Sequence, residues 1–233
     1  VINMVNFSYR NSSAIHRARQ MVARGDIGRV LHVEASYLQS WLSSTVWGDW
    51  RTSPGWLWRL SSAHGSKGVL GDIGVHILDF ATYPVGPIKE LTCRLKTFPK
   101  AKGNRVGEYK LDANDSAMIQ VEFKGGALGS VTTTRWATGH VNSLDLAMYG
   151  DKGAIKIDLD ASYNELRVCR GKDTATGTWK TINVPATPDM YKRFITSIRT
   201  GKNDDSDFAR GAAIQKALDA CYVSDKERRP VRV

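Results

Sequence analysis

The sequence predicts an α+β fold: a large, mainly antiparallel (mixed) β-sheet with helices packed on one face. Three observations predict it. Residues 88–184 are a series of short segments in which apolar and polar side chains alternate, the period of a half-buried strand. Apolar residues at helical spacing are confined to the stretches before and after that series. Strands in a run, with helices grouped on either side, indicate a sheet covered by helices and exclude a doubly wound nucleotide fold.

Taken in order, residues 1–9 alternate well enough for a strand. Asn11, Ser12 and Ser13 then offer N-cap oxygens ahead of Ala14, Ile15, Ala18 and Val22, a helix that Gly25 ends. Residues 29–39 form a second strand, with Leu31, Val33, Ala35 and Tyr37 alternating with His32, Glu34 and Ser36. No period holds through residues 40–66, a long loop containing Trp41, Trp47, Trp50, Trp56 and Trp58. Loops of that length in a compact domain are often binding elements, though each tryptophan taken singly reads as core packing. A helix follows over 67–83, closed by Pro84 and Gly86. Strands are then expected at 88–98, 117–123, 127–136, 144–149, 154–159, 166–169 and 179–184, with Lys124-Gly125-Gly126 and Gly150 to Gly153 as hairpin connections. Tyr191, Phe194, Ile195 and Ile198 define one closing helix; Ile214, Ala217, Leu218 and Cys221 define another, with Ser206 as its N-cap and an end near Val233.

Composition narrows the function classes. At 233 residues and 42% hydrophobic content the chain can bury a substantial core. No stretch reaches the roughly 20 apolar residues of a membrane span and no signal-peptide pattern is present, so the expectation is a cytoplasmic protein without a membrane partner. Cys93, Cys169 and Cys221 are odd in number and widely spaced, which argues for reduced thiols rather than a disulfide framework or a metal site. The net charge of +10 is spread along the chain among 23 acids, a pattern that argues against nucleic acid and leaves a small anionic partner open.

Candidate chemistry sits on the 67–83 helix. At 3.6 residues per turn Asp72, His76, Asp79 and Tyr83 share one stripe, while Leu70, Ile73, Ile77 and Phe80 lie well round the helix. Gly68, Gly71 and Gly74 crowd its first turns at about 1 kcal/mol each against alanine, a cost that close approach of a backbone or ligand would justify. An imidazole with a carboxylate one turn away is either a general base with its orienting acid or an ordinary surface pair. Spacing alone leaves both open.

The surrounding residues add a resemblance. Trp58-Arg59 followed by GSKGVLGDIGVHILD resembles the second-domain signature of the glucose-fructose oxidoreductase, inositol dehydrogenase and rhizopine-catabolism (Gfo/Idh/MocA) family of NAD(P)-dependent oxidoreductases. Further landmarks occur in family order: FSYR, the 12–25 helix with GDIGRV, Tyr37 to Trp41, Asn114 to Ala117, Gly139 to Asn142 and the Gly150 to Gly153 turn. The resemblance implies a dihydrodipicolinate-reductase-like C-terminal domain spanning residues 1–233. It also implies that an N-terminal Rossmann domain, absent from this chain, binds NAD or NADP. Neither a glycine fingerprint between strand and helix nor the family's Glu-Lys-Pro motif is present.

By the same resemblance His76 is the acid/base at the carbinol of a sugar, inositol or related polyol, and Asp72 binds or orients beside it. Gln39, Trp41, Trp58 and Arg59 are expected to line the sugar pocket, with His140 and Asn142 near it. Lys67 departs from the small residue usual there; it either reaches a substrate phosphate or carboxylate or is solvated. Arg10 lies either beside the cofactor cleft or in a structural salt bridge. Homo-oligomers paired through an apolar open sheet face are expected, and the chain alone is expected to be inactive. The alternative is a non-catalytic binding or oligomerisation domain that retains the fold.

Overall fold

The computed structural model describes residues 1–233. Residues 1–7 belong to no helix or strand and lead into a 3-10 turn at Ser8–Asn11. The elements that follow are α1 (Ser13–Ala23), β1 (Val30–Gln39), α2 (Pro54–Leu57), a π-helical turn at Leu70–Gly74 and α3 (Val75–Val85). The sheet region contains β2 (Ile88–Lys96), β3 (Arg105–Val106), β4 (Tyr109–Lys110), β5 (Ser116–Phe123), β6 (Leu128–Thr134), β7 (Asn142–Gly150), β8 (Gly153–Asp158), β9 (Glu165–Arg170) and β10 (Lys180–Asn183). Helices α4 (Met190–Thr200) and α5 (Phe208–Glu227) and the short strand β11 (Val231–Arg232) close the chain.

Nine strands form one sheet in the order β10-β9-β8-β7-β1-β6-β5-β2-β11. Every pairing is antiparallel except β1 with β6, which makes the sheet mixed. Alternation decides which face is covered. On β5, Ala117, Ile119, Val121 and Phe123 are buried under the helices, whereas Met118 and Gln120 point into solvent. Helices α1, α3 and α5 lie on the covered face, where Ile15, Met21, Ile77, Phe80 and Leu218 meet the strand side chains in a core of 39 buried residues. Each such side chain removed from water contributes on the order of 1.5–3 kcal/mol.

Several boundaries differ from the sequence expectation, each for an identifiable reason. Residues 1–9 alternate like a strand but find no strand partner; instead Val5 N donates to Ser206 O and Ser206 Oγ donates to Val5 O. That contact removes Ser206 from the capping role expected of it, and Asp207 caps α5 by accepting from Arg210 N. Helix α5 ends at Glu227, before the expected end, because Arg228 adopts φ 58° and Pro230 follows, after which Val231 and Arg232 join β2. Pro84 stands inside the last turn of α3 rather than after it.

The tryptophan-rich stretch folds on itself. Trp41, Leu42, Trp50, Leu57, Leu60 and Leu111 make a second, smaller core beyond the sheet, against which Trp47, Trp56 and Trp136 pack. Trp47 and Trp56 stack at 5.7 Å, and Trp56 leans on Trp41 at 5.1 Å. Short 3-10 turns and the four-residue α2 provide the local order that sequence periodicity is too short to show. The three cysteines are free and buried.

The open face of the sheet is not the apolar surface expected from the resemblance. Its two largest hollows are lined by His32, Glu34, Ser36, Glu90, Glu122, Asp145, Lys156 and Arg167 among others, and its large exposed apolar side chains are Met118 and Leu128. No helix is long and apolar enough to cross a membrane.

Candidate active site

The parallel pairing of β1 with β6 brings their carboxyl ends together, and the antiparallel β7 places its amino end beside them, so that Leu38 faces Thr134 and Gln39 faces Asn142. At this end the covered face turns polar. Val33 and Ala35 give way to Tyr37 and Gln39 along β1, and Val131 gives way to Thr133 and then Arg135 along and just past β6. Polar side chains spaced where alternation demands apolar ones need partners, because an unpaired buried polar group costs about 1–3 kcal/mol.

They find most of them in one another. Tyr37 Oη donates to Asn142 Oδ1 at 2.8 Å, and Gln39 Nε2 donates to the same oxygen at 2.8 Å. Asn142 Nδ2 donates to Tyr9 Oη at 3.0 Å, and the Tyr9 and Tyr37 hydroxyls are hydrogen-bonded. Trp41 Nε1 closes the outer end by donating to Gln39 Oε1 at 3.0 Å. Burial raises the Tyr37 hydroxyl well above the phenol range, so it stays a neutral donor to Asn142.

His76 and Asp72 enter this end from the helix. The His76 ring meets Tyr9 edge-on at 5.3 Å; its Nδ1 is enclosed and has no hydrogen-bond partner. Burial pushes the imidazole below its ordinary value, against the opposing pull of Asp72 and Asp79. The ring is therefore neutral at pH 7. Asp72 does not hydrogen-bond to it. The carboxylate instead accepts from Arg135 Nη2 at 2.8 Å through Oδ2, and Arg59 Nε lies 4.0 Å from the same oxygen.

The physical reason is the π turn. A turn closed by one extra residue rotates what precedes it relative to the α-helix that follows, so the single stripe drawn at 3.6 residues per turn is broken between Asp72 and His76. The glycines serve that turn. Gly68 has φ +66° and a Cβ there would fall 2.4 Å from the Asn114 side chain, while a Cβ on Gly71 would meet Lys67 Cβ at 2.4 Å. Close approach within the chain, not to a ligand, thus accounts for them.

Of the residues singled out in the sequence, Gln39, Trp41, Arg59, Asp72, His76 and Asn142 come together. Trp58 is 41% exposed at the rim, its indole under the Arg59 guanidinium at 4.7 Å. Lys67 lines a separate cavity of about 350 Å³ between the π turn and α5, with Gly71, Gln215, Asp219 and Tyr222. His140 is exposed on the loop before β7, with Nδ1 bonded to Ser143 Oγ at 2.9 Å. Arg10 is 1% exposed, held by Asp79 through Nε and Nη2 at 2.7 Å each and by Asp205 through Nη1 at 3.0 Å. It is a structural ion pair with its donors spent inside the domain, not a free arm for a cofactor. Sequence reasoning missed Tyr9, Tyr37 and Arg135. The signal for Arg135 was present: in Val131-Thr132-Thr133-Thr134-Arg135 it falls on the buried parity of its strand.

The chain offers no cradle for a dinucleotide pyrophosphate, which needs free N–H groups at a helix start. Around the π turn, Gly68 N donates to Ser66 Oγ, Val69 N to Asn114 O and Leu70 N to Asn114 Oδ1. Ser12 caps α1, and the aspartates Asp189 and Asp207 cap α4 and α5. Carboxylates at those helix starts repel a phosphate. The residues present do not fit the group.

Residues 15–156 match the family model described as the GFO/IDH/MocA C-terminal domain. Levoglucosan dehydrogenase of Pseudarthrobacter phenanthrenivorans is 32% identical over 189 residues, covering 75% of this chain and 46% of that protein. The uncharacterized oxidoreductase YfiI of Bacillus subtilis is 26% identical over 165 residues, 70% of this chain and 39% of that protein. The chain thus spans less than half the length of these curated relatives. Among solved structures, levoglucosan dehydrogenase in complex with NADH and levoglucosan superposes with a TM-score of 0.85 at 27% identity, covering 100% of this chain and 66% of that one. An oxidoreductase domain protein from Kribbella flavida gives 0.82 at 31% identity over the same shares.

Proposed function

The chain belongs to the Gfo/Idh/MocA family by its C-terminal domain, and from that premise we propose that it is the substrate side of an NAD(P)-dependent oxidoreductase acting on a sugar, inositol or related polyol. The observation that carries the reading is the polar end of the covered sheet face. A partly buried hydrogen-bonded chain from Trp41 to Tyr9 ends against His76, whose enclosed Nδ1 lacks a partner.

The chemistry assigned to these residues is the proton's. With Nδ1 enclosed, Nε2 is the His76 nitrogen left to meet a substrate, and a neutral ring can accept there the proton of a substrate hydroxyl. The ionic contacts of Asp72 run through Oδ2, which leaves Oδ1 to accept from a neighbouring hydroxyl and orient the sugar. Gln39 and Asn142 present further polar atoms, and the exposed indole of Trp58 offers an apolar face to a pyranose ring.

The nicotinamide would be held by the part of the relatives that this chain does not span. The 233-residue chain alone is therefore expected to be inactive and to show no NAD(P) binding in calorimetry; micromolar affinity would overturn this. In a longer protein carrying a nucleotide-binding domain, His76→Ala should lower kcat/KM by roughly 10²–10⁴-fold. An unchanged rate would favour a non-catalytic domain that kept the fold. Self-association through the open sheet face belongs to the proposal too, with charge complementarity rather than apolar burial as its chemistry. Sedimentation showing only monomer at high concentration would count against it.

A further inference from the structure

We propose that Arg135 is a positioning residue of this site: its buried guanidinium holds Asp72 by Oδ2, off the His76 ring, and so sets how much negative charge the imidazole meets. The guanidinium has no other place to go. Its side chain is fully enclosed, Nη2 donates to Asp72 at 2.8 Å, Nη1 donates to Arg59 O at 3.1 Å, and its plane lies over the Trp41 ring at 4.9 Å. Trp41 is itself tied to Gln39, so the arginine's wall is part of the polar chain that reaches the substrate side.

A cation at that depth persists only when paired. Asp72 is the carboxylate within salt-bridge distance of Arg135. The next one, Asp115, gives Oδ2 to the buried Lys100 at 2.9 Å. Two buried cations and two carboxylates thus pair off in a fixed way, and the pair whose carboxylate is partly exposed is Arg135 with Asp72.

The consequence falls on His76. From its own helix it faces Asp72 and Asp79, and Asp79 is already neutralised by Arg10 of the 3-10 turn and Arg210 of α5. From the 3-10 turn it meets Tyr9, and beyond that Tyr37 of β1, whose hydroxyls are hydrogen-bonded to one another. Arg135 at the end of β6 and Arg59 on the tryptophan-rich segment are the cations that offset Asp72. Without Arg135, Asp72 becomes a carboxylate free to turn toward the imidazole and favour its protonated form, which cannot accept a proton.

The catalytic meaning of this inference rests on the acid/base reading of His76, whereas the contact itself is tested without turnover. The experiment is an NMR titration of the His76 ring in this chain, its signal assigned by its loss in His76→Ala. Arg135→Gln should move the midpoint up by about one unit, a tenfold change in the ionisation constant. Arg135→Lys, a point donor unable to hold both Asp72 and Arg59 O, should move it up by less. Adding Asp72→Asn should abolish either shift, as a double-mutant cycle requires of a direct coupling. A midpoint unmoved by both arginine variants, or a shift that persists undiminished with Asp72→Asn, overturns the proposal. Should Arg135→Gln fail to fold, Arg135→Lys with and without Asp72→Asn separates the same two outcomes. Failure of the acid/base reading would be seen separately, as turnover that survives His76→Ala.

Discussion

Asp79 lies one helical turn from His76, yet its work is structural, and Asp79→Asn measures how much. Its carboxylate is enclosed and takes three 2.7 Å bonds, two from Arg10 and one from Arg210 Nε. The amide keeps the shape and removes the charge, stranding an Arg10 that is 1% exposed. Breaking a buried pair costs about 3–5 kcal/mol. The lower end applies here because Asp205 still holds Arg10 Nη1 at 3.0 Å. For a domain of this size 1 kcal/mol moves Tm by roughly 2–4 °C, so the expected fall is roughly 6–12 °C. Calorimetry reads it, with Glu122→Gln as the control. That variant breaks a surface pair with Lys89, worth about 0–1 kcal/mol. If Asp79→Asn loses no more than Glu122→Gln, the buried-ion-pair reasoning is wrong.

Asp205 carries an acid-range prediction. Burial alone would raise its carboxyl, but the Tyr83 hydroxyl, Arg10 and Arg19 outweigh it and hold the group at about 2. A carboxyl depressed in the folded state contributes stability that is complete above its ordinary value of 3.8 and is lost as pH falls toward about 2. Urea midpoints should therefore drop across that window and drop less in Asp205→Asn; equal slopes would refute the assignment. Gly68→Ala should cost at least about 1–3 kcal/mol through the left-handed backbone alone, with Asn114 adding to it because that side chain is fixed by its bonds to Leu70 N and Lys67 O. A thermal melt within 2 °C of the native chain, roughly the scatter expected of a neutral surface change, would show that the turn relaxes freely.

The strands were legible because half-burial writes a period of two into the sequence, and Ile119, Val121 and Phe123 obey it in the structure. What alternation does not carry is the identity of the neighbour. The parallel register of β1 on β6 joins segments separated by β2 and β5, and nothing local in residues 30–39 reports it. Residues 1–9 show the same gap in reverse, a strand pattern whose edge contacts run to Ser206 and Asn203 instead of a strand. The site was half legible. Asp72, His76, Gln39 and Asn142 stood out by type and order, whereas Arg135 was legible only by asking why a charge falls on the buried parity of a strand.

The same helix shows why spacing alone left the chemistry undecided. Asp72 and Asp79 flank His76 and on a regular helix are equivalent candidates to orient it. The π turn separates their fates: Asp79, within α3, is locked between Arg10 and Arg210, while Asp72, carried round by the extra residue, meets Arg135 through Oδ2. Gly68, Gly71 and Gly74 make room for that turn, where a Cβ would collide with Asn114, Lys67 and Leu70. A regular helix would bring Asp72 back over the imidazole, favouring the charged ring. The turn and Arg135 therefore act in the same direction, holding the Asp72 carboxylate off the His76 ring.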